Sequence, residues 1–220
     1  MPKLLDLFCC AGGAAMGYHQ AGFEVVGVDI KTQPRYPFEF HQMDWKEALS
    51  TLDLSEFSVV HASPPCQGYS VTKSLSQSSA PKLIPVVRQA LQEIGKPYVI
   101  ENVSGAKSEL INPIALRGNM FGLQVIRDRY FEVNPWIMCP PVIPIEGSTG
   151  SHRGLSRLKH GGYITVAGHN FLVSEARVAM ACPWMIGREL AQAIPPAYTR
   201  WIGERLIEAL WPKGENHAAA

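Results

Sequence analysis

The chain has 220 residues, 46% of them hydrophobic and 18% charged, with a formal net charge of +1. That length buries one substantial core but falls short of two full domains, and the composition excludes a disordered chain. The near-neutral charge excludes a polyanion-binding surface spread over the whole molecule, so any nucleic-acid contact must be local. The five cysteines, Cys9, Cys10, Cys66, Cys139 and Cys182, are odd in number and include no Cys-x-x-Cys pair. They point away from a zinc site and towards a reduced, cytoplasmic setting with no metal. Met1 to Phe8 is too short and too acidic for a signal peptide, and no long apolar run follows, so neither secretion nor a membrane is expected.

Lys3 to Phe8 reads as a short buried strand, and Gly12-Gly13 opens a helical stretch ending near Gly22. Glu24 to Val28, Phe57 to His61 and Pro97 to Ile100 are further β-rich runs, with helical spacing over Leu83 to Ile94. Strands alternating with helices predict an α/β fold, a mostly parallel sheet with helices on both faces. After the strand Tyr130 to Val133 the pattern breaks into prolines (Pro135, Pro140, Pro141, Pro144) and a glycine-rich basic stretch from Gly147 to Gly162, read as a loop insertion. Regular structure resumes with a strand at Tyr163 to Val166, a helix over Ser174 to Ala181, and an amphipathic helix from about Pro196 to Leu210, where Pro196 suits the first turn. The expected division is a catalytic and cofactor-binding region over 1–134, an insertion over 135–170 and a returning C-terminal segment over 171–220, all in one domain.

A glycine turn between a first strand and a first helix brings backbone N–H groups and a helix N-terminus to a ligand. Asp29, ending the run Val25 to Val28, is spaced to hold ribose hydroxyls, and Asp44 to take an adenine amino group. A nucleotide fingerprint has glycine where Cys10 stands, so the turn there is expected to manage with negative φ. That disfavours a dinucleotide and leaves a smaller nucleoside cofactor.

Ser63 to Ser70 follows the strand Phe57 to His61, and Pro64-Pro65 rigidify the edge that presents Cys66. A free cysteine is more often a small buried hydrophobe, but these polar surroundings argue against burial. Glu101 follows Tyr98-Val99-Ile100 and needs exposure or a partner. Arg127-Asp128-Arg129 could supply one, or could be a surface ion pair.

Taken in order, these segments resemble the C5-cytosine methyltransferases over nearly the whole chain. Asp6-Leu7-Phe8 with Gly12-Gly13 is similar to the cofactor motif, Pro65-Cys66-Gln67 to the catalytic motif, and Glu101-Asn102-Val103 to the base-binding motif. Arg127-Asp128-Arg129 resembles the paired-arginine motif, Glu175-Ala176-Arg177 the late structural motif, and Gln192-Ala193-Ile194-Pro195 the terminal cofactor motif.

The resemblance implies a Rossmann-like S-adenosylmethionine-dependent methyltransferase fold and transfer of a methyl group to C5 of a flipped cytosine in DNA, with S-adenosylhomocysteine as product. Cys66 would add to C6, because C5 alone is too weak a nucleophile. Glu101 would meet N3, Arg129 the O2 side, and Arg127 would support the thiolate and its loop. No residue identifies itself as the base that removes the C5 proton, which leaves water. Phe8, Cys10, Ala11, Gly12, Gly13, Asp29, Ile30, Asp44, Trp45, Pro65, Gln192 and Ile194 would line the cofactor site. Gln67, Ser70 and Thr72 would belong to the loop that closes over the flipped base, with Lys73 to Ser79 beyond it.

Two departures stand beside the cofactor: Cys10 for glycine, and Ala191-Gln192 for Gly-Asn. Between Arg129 and Glu175 the family's target-recognition module is reduced to the proline and basic loop. The expectation is short or relaxed recognition by a monomer, with Arg153, Arg157 and Lys159 on the phosphates of double-stranded DNA. This compact layout is similar to solitary methylases of phage and prophage. The rival readings are a tRNA cytosine methyltransferase, whose Cys-Phe-Thr tripeptide this chain lacks, and an impaired, DNA-binding regulatory homologue.

Overall fold

Strands buried on both faces need cover on both sides, and the observed strands are of that kind: β1 (Lys3–Leu7), β2 (Glu24–Asp29), β4 (Phe57–Ala62) and β5 (Tyr98–Asn102) are buried at nearly every position. A computed structural model describes residues 1–69, 82–141, 143–144, 149–150 and 162–212. With β3 (Glu39–Gln42), β6 (Ile114–Leu116) and β7 (Arg129–Asn134) these strands form a seven-stranded sheet in the order β3-β2-β1-β4-β5-β7-β6. β7 alone runs against the rest, pairing antiparallel with both β5 and β6.

One face carries Leu4, Val25, Val59 and Val99 against α1 (Gly13–Ala21) and α6 (Pro196–Leu210). The other carries Leu5, Val26, Val60 and Ile100 against α2 (Trp45–Thr51) and α3 (Ile84–Ile94). A third apolar group joins Ala11, Val125 and Ile164 to α4 (Val173–Met180) and α5 (Gly187–Leu190), folding the C-terminal segment back on the sheet. Pro196 and the carbonyl it carries pack so closely on Gly17 that a Cβ there would lie 2.1 Å from that oxygen, which lets α1 and α6 cross almost backbone to backbone.

Sequence periodicity locates β1, β2, β4, β5, β7, α1, α3, α4 and α6 to within a residue or two. It misses β3, α2, β6 and α5, which are short and, in β3 (Glu-Phe-His-Gln), polar at the sheet edge. The strand expected over Tyr163 to Val166 is limited to β9 (Tyr163–Ile164), which pairs in parallel with β8 (Thr149–Gly150) inside the stretch read as loop. Ser70, Thr72, the loop Lys73 to Ser79, and Arg153, Arg157 and Lys159 lie outside the described residues. Among the described residues no helix is long and apolar enough to cross a membrane, and no cluster of three potential metal ligands occurs.

Candidate active site

In an open parallel sheet, connections leaving neighbouring strands in opposite directions open a crevice at the strands' carboxyl ends. Here that point lies between β1 and β4, whose neighbours are β2 on one side and β5 on the other. The segments emerging there are Phe8 to Gly13 after β1, Ser63 to Gln67 after β4, and Asn102-Val103 at the end of β5.

The turn after β1 is tightly wound. Phe8 and Cys10 both adopt left-handed backbone, φ 60° and 47°, a conformation that costs a non-glycine residue of order 1–3 kcal/mol. The negative φ expected at Cys10 is therefore corrected. Its N–H donates to Asp29 Oδ2 at 3.1 Å, and this bond to the end of β2 holds the strained turn. The glycines also have local structural reasons. Gly12 is the left-handed N-cap of α1, and a Cβ on Gly13 would lie 2.4 Å from the Ile194 carbonyl oxygen. Glycine at 13 is thus required by the close approach of the returning C-terminal segment.

Two adjoining cavities share Phe8 and Pro65. The smaller, about 220 Å³, is lined by Phe8, Asp29, Ile30, Asp44, Trp45 and Pro65, together with Val28, Met43 and Leu83. Asp29 also accepts from Lys31 N at 2.9 Å, and Asp44 caps α2 by accepting from Lys46 N at 2.9 Å. Each carboxylate is thus oriented by its own backbone. The larger cavity, about 400 Å³, is lined by Cys10, Ala11, Gly13, Gln192 and Ile194 on one side and by Cys66, Gln67, Glu101, Arg127 and Arg129 on the other. Gly12 lines neither.

Cys66 is partly exposed and free, the first residue of a short 3₁₀ turn behind Pro65. Asn102 Nδ2 donates to the Pro64 carbonyl at 2.9 Å, so the end of β5 fixes the loop that presents the thiol. Glu101 is almost fully buried, and its partner is Arg129, with Nε 2.9 Å from Oε1. The contact is one of charge: Oε1 has no hydrogen bond of acceptable geometry. Burial raises the Glu101 pKa, opposed by Arg129, Ser63 and Arg127, so the carboxyl holds a proton more tightly than an ordinary glutamate.

The three residues of the arginine motif point three ways. Arg129 meets Glu101. Asp128 forms a two-pronged ion pair with Arg117. Arg127, buried, donates Nε to the Ala193 carbonyl and Nη2 to the Ala191 carbonyl, each at 2.7 Å, and Nη1 to the Val166 carbonyl. Arg127 lines the cavity together with Cys66, while its donors hold the carbonyls of Val166, Ala191 and Ala193.

Sequence reasoning overlooked four residues. Asp6, mid-strand in β1, is buried, and neither carboxyl oxygen has a hydrogen-bond partner although it lines the larger cavity. Burial, then Asp29 and Glu101, push its pKa well up, and such a group calls for a cationic ligand. It was visible in the quoted motif, but an acid inside an apolar strand reads as tolerated, not used. Ser63 and Met185 also line the cavity. Trp184, whose indole donates to the Ala11 carbonyl at 2.8 Å, has no local signal.

Residues 2–112, half of the chain, match the family model described as C-5 cytosine-specific DNA methylase. A curated relative, the type II methyltransferase M.HgiGI of Herpetosiphon aurantiacus, is 31% identical over 78 residues, spanning 31% of this chain and 62% of that protein. Among solved structures, a protein assigned as a DNA modification methyltransferase encoded within an E. coli prophage superposes with TM-score 0.65 at 15% identity, covering 96% of this chain and 99% of the other. Entamoeba histolytica methyltransferase EhMeth gives 0.61 at 13%, and S. pombe Dnmt2 methyltransferase 0.57 at 14%, each with the same coverage. At these identities the superpositions speak for the fold, and the family match for ancestry. The chain belongs to the C-5 cytosine-specific DNA methylase family.

Proposed function

We propose that the protein is a DNA (cytosine-5-)-methyltransferase in which Cys66 is the nucleophile and S-adenosylmethionine the methyl donor. The observation that carries this reading is that Cys66, Glu101 and Arg129 line one cavity whose other wall is the turn after β1 and the segment around Ile194. A nucleophile, a proton-holding carboxyl and a guanidinium thus face the same space as the glycine turn.

The residues fit the cofactor. Asp6 places an unpartnered buried carboxyl in the larger cavity, suited to the ammonium of an amino-acid moiety. Asp29, Asp44, Trp45 and Phe8 line a smaller cavity with the acids and apolar faces that a nucleoside needs. When bound, S-adenosylmethionine supplies a methyl group made electrophilic by a sulfonium.

The chain's own residues then prepare the pyrimidine. The Cys66 thiolate adds to C6 of an extruded cytosine, and the electron pair moves towards C5 while Glu101 holds a proton at N3. Arg129 steadies both Glu101 and the O2 edge. After C5 is methylated, water takes its proton, the C5–C6 double bond re-forms and the thiolate leaves. Arg127 acts by holding Val166, Ala191 and Ala193 in place. Residues 135–170 form a reduced target-recognition insertion in a single catalytic domain, with Arg153, Arg157 and Lys159 the phosphate contacts.

Incubation with radiolabelled S-adenosylmethionine should transfer label to duplex DNA and leave bulk tRNA unlabelled. Label on tRNA alone would overturn the DNA reading, and absence of a covalent adduct with 5-fluorocytosine DNA would overturn the Cys66 mechanism.

The Asp6 assignment makes a two-sided prediction. A folded-state carboxyl pKa raised above its unfolded value contributes stability present below the unfolded value and lost as pH rises through the folded one. The free protein is therefore expected to lose stability as pH rises from about 4. Asp6→Asn should raise the melting temperature of the free protein at pH 7 and weaken cofactor binding about tenfold or more, as loss of a charged hydrogen bond implies. Calorimetry on both proteins checks both; equal cofactor affinity would remove Asp6 from the site.

A further inference from the structure

We propose that Arg35 and Glu189 form a strap across the cofactor side of the site. It is a two-pronged ion pair that ties the segment leaving β2 to α5 and so holds the walls that receive the cofactor at a fixed separation. The inference rests on the cofactor reading above, and it concerns two positioning residues outside the motifs of the sequence.

The pair joins residues 154 positions apart in the chain. Arg35 Nε donates to both carboxyl oxygens of Glu189 at 2.9 Å, and Nη2 lies 2.8 Å from Oε1. Oε2 also accepts from the Ile186 N–H at 2.9 Å, so the carboxylate is oriented by the start of its own helix as well as by the arginine. The Glu189 side chain is only 10% exposed and that of Arg35 33%. A bidentate pair so shielded from water outweighs single-pronged pairs on an open surface, such as Arg200–Glu204 and Arg205–Glu208 on α6.

Each partner sits on a wall of the site. Glu189 lines the larger cavity with Met185, Ala191 and Gln192. Arg35 belongs to the connection from β2 to β3, which begins with Asp29 and Ile30 of the smaller cavity. That connection also presses on the turn after β1: a Cβ on Gly12 would lie 2.8 Å from Pro37 Cδ, and one on Gly27 2.3 Å from Tyr36 Cζ. It is thus seated on β2 and the glycine turn by Tyr36 and Pro37, and tied to α5 by the arginine just before them. Arg127 holds the carbonyls of Ala191 and Ala193 from beside β7, while Arg35 holds Glu189 from beside β2. The two arginines therefore fix one stretch of cavity wall from opposite halves of the sheet. With its charge met by Arg35, Glu189 acts on the cofactor through the position of that wall.

The test is titration calorimetry of the full chain with S-adenosylhomocysteine, together with hydrogen exchange of the free protein. Arg35→Met keeps an apolar stem and removes the fork, and Glu189→Gln keeps an oxygen for the Ile186 N–H and removes the charge. Each should weaken S-adenosylhomocysteine about fivefold, as expected if only about a fifth of the free molecules keep the walls in place. The double variant should lose no more than either single one. Arg35→Lys, a cation without the planar fork, should recover only part of the loss. In the free protein the amides of 31–37 should exchange faster in both single variants while those of β4 and β5 are unchanged. In turnover the KM for S-adenosylmethionine should rise with the loss of affinity while kcat falls by less than about twofold. Unchanged affinity in both single variants would overturn the strap. So would a loss in Arg35→Met that adding Glu189→Gln reverses, since that would mark a stray carboxylate at the cavity and not a tie between walls. Failure of the wild-type chain to bind S-adenosylhomocysteine would instead sink the cofactor reading, and the function of the strap with it.

Discussion

Cys66→Ala is expected to lower methyl transfer by about 10³-fold or more, the loss typical of removing a covalent nucleophile, and to abolish the adduct with 5-fluorocytosine DNA. The side chain is partly exposed and shares its cavity with ligand-facing groups, so stability should change by only about 0.5 kcal/mol. Cofactor affinity should also be retained, because the acids assigned to the cofactor are Asp6, Asp29 and Asp44 on other strands and loops. The combination is diagnostic: a dead enzyme that melts at the wild-type temperature and still binds cofactor. Residual transfer within tenfold of wild type would show that cytosine is activated without the thiol. Cys9, Cys139 and Cys182 provide the control. Cys9 and Cys182 are buried, and burial pushes the Cys182 thiol up to about 12, so neither can substitute as a thiolate near neutral pH.

Arg127→Ala should produce the largest loss of stability of any single change in the motifs, about 3–5 kcal/mol. Three carbonyls, those of Val166, Ala191 and Ala193, would lose a charged donor in a buried setting. In a chain of this size that corresponds to a melting temperature lower by roughly 10 °C. Arg127→Lys should recover only part of the loss, because one ammonium cannot span three acceptors in a plane. Hydrogen exchange offers the sharper check: amides of 187–194 should lose protection before those of β4 and β5. If Arg127→Ala melts like wild type while activity collapses, the clamp is wrong and the guanidinium works directly in the cavity. Arg129→Ala, by contrast, removes the partner of Glu101 and should depress activity more than stability.

Much of the site was legible because its chemistry is carried by contiguous residues. Pro65-Cys66 and Glu101-Asn102 each sit where a strand ends, and strand ends in a parallel sheet can be read from apolar runs. The surroundings of Glu101 could be only half read. An acid after an apolar strand needs a partner, and the arginine motif was named as its source, but which arginine serves depends on β7 lying antiparallel to β5. Arg127, just before β7, and Arg129, its first residue, then point to different partners. The backbone at Cys10 was misread because a propensity argument sees only the residue's own preference, while Asp29, far along the chain, supplies the hydrogen bond that holds φ at 47°. The shortest elements, β3, β6 and α5 with three or four residues each, show too few periods to register, and tertiary packing makes them regular.

By itself the sequence determined the family and the α/β class with its alternating order, and it put forward the thiol, the carboxyl and the acids beside the glycine turn as candidates, since these rest on residue type and local spacing. Only the tertiary structure decided that Asp6 is an unpartnered acid in the cavity, that Arg127 donates to three carbonyls of the C-terminal half, that Gly13 yields space to Ile194, and that Tyr18, His61 and Ser63 form one hydrogen-bonded line. Those outcomes depend on which strands become neighbours and on what burial does to a charge. Neither is a property of any short stretch of chain.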